Sequence, residues 1–247
     1  MIKTDLHTHT VYSDGADTPE QMVLSAIEKG VKVYGISDHS YTPFDPGYCM
    51  APDRYAEYFS VLTQLQEKYK DKIDLRRGME LDYYSDKPDI EFDHIIGSVH
   101  YVKAGGEYIP VDKNAKTLLD GVRDHFGGDI YAFIEEYYRT EADVACKTGC
   151  DIIGHFDLVT KFNEGGVMFD ENDPRYVSAY RAAADILVKT GKPFEINFGA
   201  IPRGCRTTPY PSADILAYLK SKGAQFILSS DSHKKENICF GFDGAVI

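Results

Sequence analysis

The chain has 247 residues, 43% hydrophobic and 13% aromatic, which is enough to close a sizeable core in one α/β domain spanning 1–247. Its 27 basic against 39 acidic side chains leave a formal charge of −12, disfavouring a nonspecific grip on long nucleic acid or an anionic membrane. Five cysteines without a Cys-x-x-Cys pair, an N-terminus lacking the apolar core of a signal peptide, and no run of ~18 apolar residues predict a reduced, soluble, cytoplasmic protein.

Short β-rich runs alternate with helical patterns. The first strand is expected over 2–6. Thr18-Pro19-Glu20 reads as an N-cap, a proline at the first helical position and an acidic first turn, opening a helix that Gly30 closes. Residues 33–37 form a second strand ending at Asp38-His39, and a Pro-, Gly- and Asp-rich loop over 41–52 has the length of a lid or rim. An amphipathic helix over 53–70 leads to a third strand ending at Met79-Glu80. Residues 93–99 deliver His100, one or two helices fill 114–147 with a break at Gly127-Gly128, and a brief strand over 151–154 ends at His155. A helix from Asp173-Pro174, a strand over 193–197, a helix capped by Ser212 and a strand over 225–229 ending at Asp231-Ser232-His233 complete the pattern. Strand and helix alternating about seven times predict a parallel α/β barrel, although periodicity alone leaves closure open.

The informative signal is positional. Six of the eight histidines, namely His7, His9, His39, His100, His155 and His233, fall at or just after the C-terminal end of an expected strand, as do Glu80 and Asp231. In α/β barrels that rim is where functional loops converge. His7 and His9 are two apart, so an extended chain presents both imidazoles on one side. His94 and His125 fall elsewhere and are read as structural.

Eight imidazole and carboxylate groups exceed the needs of one four-coordinate zinc, so two or three divalent ions are the better count. The donor chemistry favours Zn, Mn or Fe over Mg or Ca. A Gly-x-Ser-x-Gly nucleophile elbow and a Gly-x-Gly-x-x-Gly dinucleotide turn are both absent from the chain.

His7-Thr8-His9, Asp38-His39, Gly78-Met79-Glu80, Ser98-Val99-His100, Gly154-His155-Phe156-Asp157 and Asp231-Ser232-His233, in this order, resemble the metal motifs of the PHP (polymerase and histidinol phosphatase) superfamily. The likeness is greatest to its histidinol-phosphatase branch. It implies a distorted (β/α)7 barrel with a trinuclear metal centre at the C-terminal strand ends. By the same resemblance His7, His9, Glu80 and Asp231 hold one ion, Glu80 bridges to a second completed by His100 and His155, and His39 with His233 holds a third. Asp14 stands where some relatives have a histidine and is the candidate for the remaining ligand; turn chemistry in Ser13-Asp14-Gly15 explains it equally well.

The implied activity is hydrolysis of a small phosphomonoester, foremost L-histidinol phosphate, by metal-activated hydroxide. Arg203 is the first choice for contacting the phosphate, the family having a phosphate-binding arginine in this loop; Arg206 and Lys161 are further candidates. Asp231, His233 or coordinated water are the candidates for protonating the leaving alcohol, and Asp157 for orienting a liganding histidine. Asp45 and aromatics of the 41–52 loop, with Glu195 and Asn197, are candidates for facing the substrate's ammonium and imidazole. The competing readings are a nucleotide or oligonucleotide phosphoesterase of the same superfamily and a noncatalytic metal-binding module. Relatives are expected to add a final helix where this chain stops at Ile247.

Overall fold

The computed structural model describes residues 3–245. Seven strands form one sheet in which every neighbouring pair is parallel: β1 (Thr4–Asp5), β2 (Val33–Ile36), β3 (Asp74–Asp82), β4 (His94–Ser98), β7 (Ile152–Ile153), β8 (Phe194–Asn197) and β9 (Phe226–Ser229), in that spatial order. The helices α1 (Pro19–Glu28), α2 (Tyr55–Tyr69), α3 (Ala115–Phe126), α4 (Ile130–Thr148), α5 (Pro174–Leu187) and α6 (Ala213–Ser221) wrap the outside. This is the distorted seven-stranded barrel that the alternation implied. Among the described residues no helix is long and apolar enough to cross a membrane.

The first and last strands meet through side-chain and loop contacts instead of a continuous ladder. His9 N–H donates to the Ser232 carbonyl at 2.9 Å, beside a parallel bridge between Thr8 and Ser232. The fully buried Asp5 carboxylate accepts Ser230 N–H at 3.1 Å and Cys239 N–H at 3.0 Å, tying β1 to the segment after β9. Barrel closure therefore brings Asp231-Ser232-His233 against His7-Thr8-His9.

Several local expectations are realised in detail. Thr18 caps α1 through a capping box with Gln21, and α3 and α4 are separated by Gly127, which ends α3 in the left-handed conformation at φ 61°. Others need correction. The first strand covers only Thr4–Asp5, Ile2 lying outside the described residues. β3 continues past Glu80 to Asp82, so Glu80 sits within the strand. A hairpin, β5 (Tyr101–Ala104) with β6 (Glu107–Pro110), stands between β4 and α3. Ser212 precedes α6 but makes no side-chain cap; its backbone N–H donates to Asp157 Oδ2 at 2.9 Å.

His94 shows why β2 and β3 carry glycines. Its buried ring occupies the barrel interior and Nε2–H donates to the Leu6 carbonyl at 2.8 Å. A Cβ at Gly78 would overlap that ring and lie 2.9 Å from the Ile36 carbonyl; one at Gly35 would lie 2.7 Å from His94 Cε1. Gly78→Ala should cost about 1–3 kcal/mol by overpacking. In denaturant unfolding the loss should be smaller in a His94→Ala background; strictly additive effects would contradict the shared-space explanation.

Candidate metal centre

At the end of β1, Thr8 turns its hydroxyl away to the Gly35 carbonyl at 2.7 Å, and strand alternation leaves His7 and His9 side by side with ring centroids 5.1 Å apart. His7 Nδ1–H donates to Glu195 Oε1 at 2.7 Å, which points Nε2 into the site. Four atoms then converge. His7 Nε2 is 3.3 Å and His9 Nε2 3.6 Å from Glu80 Oε2, while the same nitrogens lie 3.9 and 3.2 Å from Asp231 Oδ1. Tetrahedral donors at about 2.0–2.2 Å from an ion are themselves about 3.3–3.6 Å apart, so this spacing suits a shared cation.

Glu80 faces other histidines with both oxygens. Oε1 accepts Ser98 Oγ–H at 2.7 Å and lies 2.9 Å from His155 Nε2 and 3.4 Å from His100 Nε2. Oε2 lies 2.7 Å from His39 Nδ1. On the far side of His39, Nε2 is 3.7 Å from Asp14 Oδ1, which is 3.2 Å from His233 Nε2 and 3.9 Å from His9 Nδ1. Three groups are spaced to hold an ion: His7, His9 and Glu80; His39, Glu80 and His100; and His9, Asp14, His39 and His233. All nine expected ligand residues are thus drawn into one cluster. His39 differs from expectation, standing between Glu80 and Asp14 instead of serving one group alone.

The fit to metal is visible in what the protein leaves unpaired. His7 Nε2 and both ring nitrogens of His9 are buried without a hydrogen-bond partner among the described residues, and Glu80 Oε2 meets only histidine nitrogens. Orphaned polar atoms in a protein interior are costly, and the lone pairs of His7 Nε2 and of one His9 nitrogen are accounted for by coordination. The charges agree. Burial opposes protonation of His7, yet the carboxylates of Glu195, Glu80 and Asp231 outweigh it and hold its pKa well above the ordinary value. His39 and His100 are raised against burial in the same way, mainly by Glu80. His9 is lowered to about 3 by burial and by the neighbouring His233 and His39, so it is neutral and ready to donate a lone pair at neutral pH. Glu80 and Asp231 stay well below the carboxylate range despite burial, Glu80 chiefly through His39 and His7 and Asp231 through Arg203 and His7.

Buried carboxylates behind the cluster fix the ligands. Glu195 accepts His7 Nδ1–H, His155 N–H at 3.1 Å and Asn197 Nδ2–H at 3.0 Å, so Glu195 and Asn197 stand behind the histidines and do not face the substrate. Asp82 accepts His100 N–H at 3.1 Å and its Nδ1–H at 3.2 Å. Asp38 accepts Thr10 N–H at 2.8 Å and Ser13 N–H at 3.1 Å, holding the loop that carries Asp14. The orienting role expected of Asp157 therefore belongs to Glu195 and Asp82. Asp157 braces the Ser212 backbone, with burial raising its carboxyl to about 6. Period-two alternation from Glu80 was the available signal for Asp82.

Asp231 adopts the left-handed conformation at φ 46° and lies against Gly199, where a Cβ would sit 2.6 Å from Oδ2. Arg203 clasps it, donating from Nη2 to Asp231 Oδ2 at 3.1 Å and from Nε to the Gly199 carbonyl at 2.8 Å. The cluster opens into a cavity of about 350 Å³ whose wall includes Arg203, Lys161, Asp45, Tyr48, Tyr101 and Asp112. Arg206 is not on that wall, which corrects its assignment as a substrate contact. Its buried guanidinium donates to the Thr160 carbonyl and to Thr208 Oγ1, both at 3.3 Å, and lies 4.7 Å over the Tyr210 ring.

A parallel barrel carrying a multi-site histidine and carboxylate cluster at the C-terminal ends of its strands defines a metal-centred barrel protein. Residues 5–198 match the family model described as PHP domain, and the chain belongs to that family. Asp231 and His233 lie beyond the matched stretch. The chain is 26% identical over 253 residues to a Deinococcus radiodurans protein named "Probable histidinol-phosphatase", covering 98% of this chain and 90% of the relative. A solved Listeria monocytogenes chain shares the fold with a TM-score of 0.82 at 21% identity, over 99% of this chain and 100% of its own. The histidinol phosphate phosphatase of Lactococcus lactis, solved with zinc, L-histidinol and phosphate, matches at TM-score 0.66 and 23% identity over 95% of this chain and 87% of its own.

Two outcomes follow. Glu195→Gln should weaken metal affinity about 10- to 100-fold in competition with a chromophoric chelator, and unchanged affinity would contradict the orienting role. Because the pKa values of His7, His39 and His100 are raised, metal loading at neutral pH should displace protons. Calorimetry in buffers of different ionisation enthalpy reads this as a buffer-dependent heat; identical heats would contradict it.

Proposed function

We propose that the chain is a metal-dependent phosphatase that hydrolyses L-histidinol phosphate to L-histidinol and phosphate, in histidine biosynthesis. The observation that carries this reading is the cluster of orphaned, buried donor atoms sharing one cavity with Arg203 and Lys161. The family membership and the histidinol-phosphatase relatives, one solved with zinc, L-histidinol and phosphate, name the substrate. We read residues 1–247 as a single cytoplasmic domain.

In this reading His7, His9, Glu80 and Asp231 hold one ion, His100 and His155 with Glu80 a second, and Asp14, His39 and His233 a third, as Zn, Mn or Fe. Such ions supply Lewis acidity and lower the pKa of coordinated water toward neutrality. The protein's own contribution is charge and position. Arg203, fixed by Asp231 and Gly199, directs guanidinium N–H groups at phosphoryl oxygens, where negative charge spreads during transfer. Lys161 adds a second cation on the same cavity wall. Asp231 is held ionised with Oδ2 on Arg203 and Oδ1 on the histidines, so it serves as a ligand and not as the acid. His233, a ligand in this reading and with Nδ1 3.0 Å from the Asp231 carbonyl, is committed in the same way.

Purified protein should release phosphate from L-histidinol phosphate, lose that activity on chelation and regain it with Zn or Mn. His100→Ala should lower kcat/KM about 100-fold or more, the scale on which removing one electrostatic stabiliser acts. Robust turnover in metal-free protein would overturn the proposal.

A further inference from the structure

Asp112 and Lys161 form an ion pair at 3.2 Å on the wall of the cavity into which the cluster opens. Each is tied to a different candidate ligand. Asp112 follows β6, and its neighbour Val111 donates N–H to the His100 carbonyl at 2.9 Å. Lys161 follows the single helical turn Leu158–Thr160 that starts three residues after His155, and its N–H donates to the Leu158 carbonyl at 2.9 Å. Lys161 is 11% exposed and Asp112 33%, so a ligand in the cavity meets both charges. A phosphate held between Arg203 and Lys161 would compete with Asp112 for the Lys161 ammonium and leave that carboxylate short of its cation. That carboxylate disfavours a bare phosphate monoester and favours one that brings its own cation.

We infer that the Asp112–Lys161 pair reads a vicinal ammonium phosphate, with Lys161 facing the phosphoryl group and Asp112 facing an ammonium two carbons from the ester oxygen. The inference rests on the phosphatase reading above and deepens it by naming the substrate feature that is selected. Phosphate, Lys161, Asp112 and ammonium then alternate in sign around one ring of contacts, and each charge has an opposite neighbour. Outside the ligand cluster Asp45 is a further carboxylate on this wall, and it is less suited. Its Oδ2 meets Tyr101 OH at 3.3 Å and Lys113 Nζ at 3.5 Å, joining the 41–52 loop to the hairpin and the segment after it, and unlike Asp112 it is not paired with the cation that faces the phosphate. The hairpin thereby gains a function, since it carries Asp112 to the cavity.

The test compares kcat/KM for L-histidinol phosphate and for its desamino analogue, imidazolylpropyl phosphate, in wild type and in Asp112→Asn. Wild type should prefer the aminated substrate by about 10- to 100-fold, the range expected for one hydrogen bond between charged groups. Asp112→Asn should lose that preference, its kcat/KM falling about 10- to 100-fold further on L-histidinol phosphate than on the analogue, whereas Lys161→Met should lower both. No preference in wild type, or an equal loss on both substrates in Asp112→Asn, would overturn the inference. If Asp112→Asn fails to fold, Asp112→Ser makes the same comparison. Should wild type not cleave L-histidinol phosphate, the substrate reading fails by itself, and phosphoethanolamine against ethyl phosphate still reads the ammonium preference.

Discussion

The Glu80 carboxylate is the group on which the site depends. It is 1% exposed and lies within 2.7–3.6 Å of five imidazoles, those of His7, His9, His39, His100 and His155. A buried carboxylate is tolerated only when opposite charge or hydrogen-bond donors surround it. Those histidines come from the ends of four different strands, so the charge is compensated only when the barrel is nearly closed. Folding and site assembly are in this sense one event, and the Asp5 contacts that join the first strand to the segment after the last complete it.

Around this carboxylate the protein arranges a second set of acids. Glu195, Asp82 and Asp38 hold the histidines and the Asp14 loop, while Arg203 takes the outer oxygen of Asp231 and leaves the inner one to the cluster. This division explains the net acidity in local terms: many of the carboxylates near the centre either bind the ligand atoms or aim them. The site is divided between the barrel rim, which carries the candidate ligands, and the loops and hairpin, which shape the cavity.

The barrel and the convergence of the candidate ligands were legible because strand ends repeat one chemistry. A histidine or carboxylate at the end of six of the seven barrel strands is a pattern that survives errors of a residue or two in strand bounds, as the extension of β3 past Glu80 shows. The hairpin was missed because Tyr101–Ala104 and Glu107–Pro110 are too short to carry periodicity, although Gly105-Gly106, both at positive φ, is the two-residue turn that joins such strands. Nor was the different fate of Arg203 and Arg206: in an irregular loop a spacing of three residues does not say which side chain faces the cavity. Asp157 misled for a related reason, because its proximity to His155 in sequence says nothing of where its carboxylate points; that carboxylate braces the backbone before α6.

In the proposed reading Glu80 would serve two metal positions at once, since its two oxygens face different histidines. The most direct test is the metal content of folded Glu80→Gln protein against wild type, measured on samples loaded identically. The account predicts the simultaneous loss of about two ion equivalents, because both positions lose the ligand they share. Metal content equal to wild type would contradict it.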